Sequence, residues 1–187
     1  IVTRADSIGG AQIHVRDLAF RLLGDGHRVT VLTGGEGDLT RMLAEKNVPY
    51  RIVGSLVRNI SPLRDFAAVR ETRRILRDVK PDLVSTHTAK AGLVGRLAAW
   101  SLGIPAIFTA HGWQFAEGIS PVQRFIVEPL ERITSRMSRK IITVSDYDGN
   151  LARERRVVPA GRMITIHNGM PDVDPGLDLL TPRERAV

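Results

Sequence analysis

"DLVSTHTAKAGLVGRLAAWSLGIPAIFTAH", residues 82–111, decides the fold. It opens on an apolar run of β character, DLVSTH (82–87), and closes on another, IPAIFTAH (104–111). Between them AKAGLVGRLAAWSLG reads as a helix that stops at Gly103. A strand, a helix and a strand within this length make a crossover unit, and a crossover returns its second strand parallel to the first. The same alternation runs in both directions. Upstream, RVTVLT (28–33) and PYRIV (49–53) read as strands, and LTRMLAEKN (39–47) as a short helix. SPLRDFAAVRETRRILRDVK (61–80) reads as a long helix, with Pro62 suited to its start and Pro81 to its stop. Downstream, a helix covers much of 120–139, disturbed at Pro129. KIITVS (140–145) is a strand, DYDGNLARERRV (146–157) a helix, and RMITIHNG (162–169) a last strand.

The strands are near-continuously apolar, which predicts a parallel sheet covered on both faces. The expected fold is α/β, a doubly wound, mostly parallel, Rossmann-like sheet. Ile1 and Val2 read as the tail of its first strand, and AQIHVRDLAFRLLGDGH (11–27) as the helix that follows. Sheets of this kind bind ligands beyond the carboxyl ends of their strands, at the switch point of strand order. The strand-to-helix loops therefore hold the candidate residues.

Composition narrows the classes. The chain has 187 residues, 43% hydrophobic and 25% charged, enough for one domain with a substantial core. It has no cysteine, so disulfides and thiolate metal sites are excluded. Its most apolar stretch is interrupted by Arg96, Gly103 and Pro105 and makes a poor membrane span. A cytoplasmic location is expected. The net charge of +7, from 27 basic and 20 acidic residues, favours anionic partners. Arginines scattered over helices account for the same number without any partner.

Gly9 and Gly10 end the first strand and open the first helix. Without Cβ atoms they let a phosphate approach the backbone at a helix N-terminus. A tight turn needing positive φ is the other explanation. The second glycine cluster, TGGEGD (33–38), also follows a strand and could face a ligand; the preferred reading is a flexible turn. His111, followed by Gly112, ends the fifth strand, counting Ile1-Val2 as the first, where a neutral imidazole can both donate to and accept from a sugar hydroxyl. His87 ends the preceding strand, and Lys90 after it can meet an anion or stay a surface lysine. His14 lies one turn into the first helix and either faces the cleft or packs there. His27 sits in a turn, and His167 closes the last strand before Asn168 and Gly169. No histidine pair has a local metal-ligand spacing, so no metal site is expected. No nucleophile-elbow motif occurs either. In the 120–139 helix, Val122, Ile126, Leu130, Ile133 and Met137 form an apolar stripe, with Arg124, Arg132, Arg136, Arg139 and Lys140 adding charge. The preferred account is a core-packed helix with a solvated basic face; the alternative is an interfacial surface for anionic lipid.

Four segments in order, SIGGAQIHVRDLAFRLLGDGHRVTVLT, THTAKAGLVGRLAAWSLGIPAIFTAHGWQF, IITVSDYDGN and IHNG, resemble the N-terminal domain of a retaining GT-B glycosyltransferase of family 4. The resemblance covers about residues 1–170. It implies an acceptor-side, Rossmann-like half of a GT-B fold over 1–169, and a linker over 170–187 toward a missing donor-binding domain. It also implies transfer from a nucleotide-sugar donor to a glycan or lipid-linked acceptor, with no cofactor and no metal. Carried over, Gly9 and Gly10 approach the donor diphosphate and His111 meets the transferred sugar as the catalytic-centre residue. Ser145 lies on the cleft wall, and Asn168 and Gly169 mark the passage to the second domain; His14, His87, Lys90 and Gly112 join them as candidate cleft residues by their positions at the strand ends and in the helix turns that follow. The family's Glu-x7-Glu signature is missing: no glutamate here is followed eight positions on by another. The fragment alone is therefore expected to be inactive. An anionic membrane surface is a further expected partner, where acceptors of this kind reside. Nucleic acid is not expected, because aromatics are only 5% and supply no stacking platform. Two other functions stay open at this point: half of a GT-B-type sugar-nucleotide epimerase, and a non-enzymatic nucleotide-binding domain.

Overall fold

The computed structural model describes residues 1–59, 61–116 and 120–169, leaving out the side chains of 121–123. The proposed linker, 170–187, lies outside the described residues. Among the described residues six helices and six strands alternate. They are α1 (Gly10–Gly24), β1 (Val31–Thr33), α2 (Asp38–Glu45), β2 (Tyr50–Ile52), α3 (Pro62–Val79) and β3 (Val84–His87). Then follow α4 (Ala89–Trp100), β4 (Ala106–Ala110), α5 (Pro121–Ser135), β5 (Lys140–Thr143), α6 (Asp146–Glu154) and β6 (Met163–Thr165). Each expected element is present, except that the expected first strand, Ile1-Val2, is reduced to a single parallel bridge between Val2 and Thr33, and the strands are shorter than their apolar runs.

Strand β1 pairs with β2, and β3 to β6 pair in sequence order, every pair parallel. The segment Ile1–Thr3 lies between these two groups. On one side the Val2 amide donates to the Leu32 carbonyl (3.0 Å) and the Gly34 amide to the Thr3 carbonyl (3.1 Å). On the other side the His87 amide donates to the Ile1 carbonyl (2.8 Å). The spatial order is thus β2, β1, Ile1–Thr3, β3, β4, β5, β6, with the order reversing between Ile1–Thr3 and β3. That is the switch point of a doubly wound sheet.

Alternation along the strands splits the core into two layers. Val31 joins Val2, Val15, Ala19, Leu39 and Leu43 beneath α1 and α2. Its neighbour Leu32 points the other way, to Val53, Ala68, Ala91 and Val94 beneath α3 and α4. A third cluster, Phe108, Trp113, Phe115, Ile141 and Val157, fills the space under α5 and α6.

The TGGEGD cluster is tighter than a flexible turn. A Cβ on Gly34 would sit 2.0 Å from the Leu56 carbonyl oxygen and 2.5 Å from that of Thr3. One on Gly37 would sit 2.4 Å from the Ala5 carbonyl oxygen. Backbone from two neighbouring loops occupies the space of a side chain, so close packing explains both glycines.

The stripe on α5 also departs from the preferred account of a core-packed helix. Phe125 is 82% exposed, Ile126 62% and Ile133 55%. The inward face carries Glu131, Thr134 and Ser135, all buried. The reason is a polar anchor in the core. Arg96 of α4, fully buried, donates from its Nη2 to both carboxylate oxygens of Glu131 at 3.0 and 3.1 Å. The Ser135 hydroxyl donates to the Val157 carbonyl at 2.6 Å. Satisfying these groups sets the rotation of α5 and turns its apolar side to solvent.

Candidate functional site

Three imidazoles converge at the switch point. His87 is the last residue of β3 and His111 follows the last residue of β4, so parallel pairing brings both to the carboxyl edge. His14 comes down from the second turn of α1. Ring centroids are 4.9 Å apart for His14–His111, 5.3 Å for His14–His87 and 5.5 Å for His87–His111. Nδ1 of His87 lies 3.2 Å from Nε2 of His111, and Nε2 of His87 lies 3.0 Å from the Ser85 hydroxyl. His87 is buried; His14 and His111 are partly open.

This setting disfavours imidazolium. Burial pushes His111 down to about 4, His14 adds to the fall, and the Asp148 charge opposes it. Burial lowers His87 well below its usual value, and any charge on the Ile1 amino group, His111 or His14 acts in the same direction. Burial also lowers His14, against a hydrogen bond with Asn168 and the charge of Asp17. The site at neutral pH therefore presents neutral rings, able to donate at one nitrogen and accept at the other.

A pH dependence follows. The His111 value falls from 6.5 in the unfolded chain to about 4 in the fold, so between these values the unfolded state binds more protons. The contribution is complete above pH 6.5 and is lost as pH falls toward about 4. Thermal melts across this range should show a falling midpoint, and His111→Gln should flatten the slope. Equal slopes for the two proteins would count against the neutral cluster.

One candidate ligand nitrogen from each of the three histidines falls within a common 4.8 Å, a spacing that the linear sequence hides. The His87 nitrogens already face Ser85 and His111, so a cation would have to displace one of these contacts.

The other candidate residues fall into distinct settings. Gly9 and Gly10 are exposed, and Gly9 is extended with φ −134°. Neither appears among the residues with positive φ. A Cβ on Gly10 would meet nothing within 4 Å, and one on Gly9 only the Gln12 side-chain oxygen at 3.3 Å. The tight-turn explanation therefore fails, and the space above the pair is open. Lys90 is held by Asp65 of α3 at 2.6 Å, largely buried, so its charge already has a partner. Gly112 has φ +120°, a conformation that favours glycine. Ser145 caps α6, accepting from the Asp148 amide and donating to the Asp148 carboxylate at 2.6 Å. Asn168 reaches His14; Gly169 is exposed. His27 is exposed in its turn, and exposed His167 lies 3.2 Å from Asp146.

Sequence reasoning missed Thr88. It follows His87 with φ +69°, an outlier for a β-branched residue. Its hydroxyl lies 2.7 Å from that of Thr3, which in turn accepts from the Ala91 amide at 3.1 Å. These bonds tie Ile1–Thr3 to the start of α4 directly beside the histidines. A threonine at a strand end carries no local sign of such a conformation.

Residues 8–172 match Glycosyltransferase Family 4. The chain belongs to this family. Among curated relatives, it is 27% identical over 143 residues to UDP-Gal:alpha-D-GlcNAc-diphosphoundecaprenol alpha-1,3-galactosyltransferase of Escherichia coli. That alignment takes in 76% of the chain and 37% of the relative. Among solved structures, a glycosyltransferase from Rickettsia africae ESF-5 superposes with a TM-score of 0.70 at 17% identity, covering 98% of this chain and 46% of that one. HepE of Anabaena, in complex with UDP, gives 0.67 at 19% identity, covering 90% and 43%. The chain thus spans less than half of each protein, and its fold is the N-terminal, Rossmann-like half of a GT-B enzyme.

Proposed function

We propose that this family 4 domain is the acceptor-side half of a retaining glycosyltransferase that moves a sugar from a nucleotide-sugar donor to a lipid-linked or polysaccharide acceptor. The observation that carries the reading is the cluster of neutral His14, His87 and His111 at the switch point, beside the open backbone of Gly9 and Gly10. His111 contacts the sugar being transferred. Gly9 and Gly10 admit the donor diphosphate to the N-terminus of α1, whose first turn carries no acidic residue. The second half of the donor site comes from a C-terminal domain joined through residues 170–187, so the 187-residue chain does not turn over alone. The enzyme works in the cytoplasm, at the membrane face where lipid-linked acceptors are held.

The test uses the enzyme assembled with its donor-binding half. Nucleotide-sugars are offered with a short-chain lipid diphosphate acceptor, and the anomeric configuration of the product is read by NMR. Transfer with retention supports the reading. Epimerised nucleotide-sugar without transfer, or an inverted product, overturns it. The glycine pair gives a separate expectation. Gly10→Val should leave the melting temperature within a few degrees, because the new side chain meets open space. It should weaken donor binding about tenfold or more, since it blocks the approach of phosphate to the backbone. Unchanged donor affinity in a titration would remove Gly10 from the site.

A further inference from the structure

We propose that His14, His87 and His111 form a site for one divalent transition-metal ion of the zinc class. Among the described residues this is the one place where three metal-ligating side chains converge, each offering a nitrogen within 4.8 Å of the other two. Zinc held by imidazoles at about 2.1 Å sets neighbouring nitrogens about 3.4 Å apart in a tetrahedron. Nδ1 of His87 and Nε2 of His111 are already 3.2 Å apart, close to one edge of that figure. His14 supplies the third corner. It sits on α1, outside the strand ladder, so a small turn of its side chain closes the remaining distance. The contact that yields to the ion is the hydrogen bond between His87 and His111.

The groups around the rings suit a cation. Nε2 of His87 lies 3.0 Å from the Ser85 hydroxyl, which leaves Nδ1 as the nitrogen that binds. An outer partner of this kind fixes the orientation and tautomer of a ligating histidine. A hydrogen bond with Asn168 steadies His14. The charge of Asp148 acts on His111 and that of Asp17 on His14, so both rings stand in a negative field. Neutral imidazole is the form that binds metal. It selects zinc, copper or nickel over magnesium and calcium, which prefer oxygen. His14 and His111 are partly open, so the ion enters from solvent and keeps a fourth position for water. Bound metal engages Nε2 of His111, the group that meets the sugar in the proposed function. Resting on that reading, occupation of the site stops transfer, and the ion is an inhibitor rather than a cofactor.

The test is calorimetric titration of the untagged 187-residue chain with zinc, and with magnesium as the oxygen-seeking control. One zinc per chain is expected, and no magnesium. Free zinc at about a hundred times Kd should raise the melting temperature by about 5–10 °C. His14→Gln and His111→Gln should each weaken zinc binding about a hundredfold. Ser85→Ala, which removes only the outer partner, should weaken it about tenfold. His27→Gln and His167→Gln should bind zinc as the wild type does. Circular dichroism checks each fold, and the partly open His14 can be replaced without disturbing the core. Absence of stoichiometric zinc binding overturns the proposal, as does binding that His14→Gln and His111→Gln leave intact or that His167→Gln removes. In the assembled enzyme the same zinc should abolish transfer, and a chelator should restore it. Zinc binding that needs the three histidines, with transfer at full rate, would keep the metal site and remove His111 from the sugar. The two readings therefore fail separately.

Discussion

Glu131→Ala should destabilise the chain by about 3–5 kcal/mol, because it strands a buried cation. Arg96 has no exposed surface. Its guanidinium lies 4.3 Å from the centroid of the Phe108 ring, and its Nε donates to the Gly92 carbonyl at 2.7 Å. Glu131 supplies the only carboxylate in contact with it among the described residues. Burial already pulls the Arg96 value down, and the Glu131 charge opposes that pull. Without the carboxylate the guanidinium keeps its desolvation and loses its compensation. For a chain of this size each kcal/mol moves the melting temperature by about 2–4 °C. A fall of about 10 °C is therefore expected by differential scanning calorimetry. Replacing both partners, Arg96→Leu with Glu131→Leu, should recover much of the loss, since no charge is then left unpaired. A fall below about 1 kcal/mol in the single variant would show that water or a neighbour takes over the role of Glu131.

His111→Ala in the assembled enzyme should lower kcat by about a hundredfold and change nucleotide affinity little. His111 stands at the carboxyl edge of β4, and burial holds it neutral. On the proposed reading, a neutral imidazole there would contact the sugar as charge develops on it, and the nucleotide would be held by other groups. Removing the ring takes away a contact that matters most in the transition state, so kcat suffers and KM for the donor stays close to its original value. His111→Gln, which keeps a donor and an acceptor, should retain part of the rate. An equal kcat for wild type and His111→Ala would exclude the role.

The element order was legible because it rests on local patterns. The DLVSTH and IPAIFTAH runs, with a helical segment between them, allow only a crossover, and parallel pairing of Val84–His87 with Ala106–Thr109 follows. Ile1–Val2 was legible as a first strand because the glycine loop comes so soon after it. His87 and His111 could be placed at one edge, since both end strands. Their contact with His14 could not, because it depends on how α1 packs over the sheet. The rotation of α5 was hidden for a related reason. Its apolar spacing was visible, but which side faces the core depends on Arg96, thirty-five positions away from Glu131. Nor does the sequence show that Gly34 and Gly37 touch the backbone of other loops, since those loops are brought together only by the sheet.

The sheet has a seam. Among the described residues, its two paired groups of strands are joined in backbone hydrogen bonding only through Ile1–Thr3. His14 belongs to the helix packed on one side of that seam, while His87 and His111 end strands on the other. The three imidazoles therefore meet across the Ile1–Thr3 segment. A ligand gripping all three rings would act as a clasp. It would slow hydrogen exchange at the Val2 and His87 amides, which no atom of the ligand needs to touch.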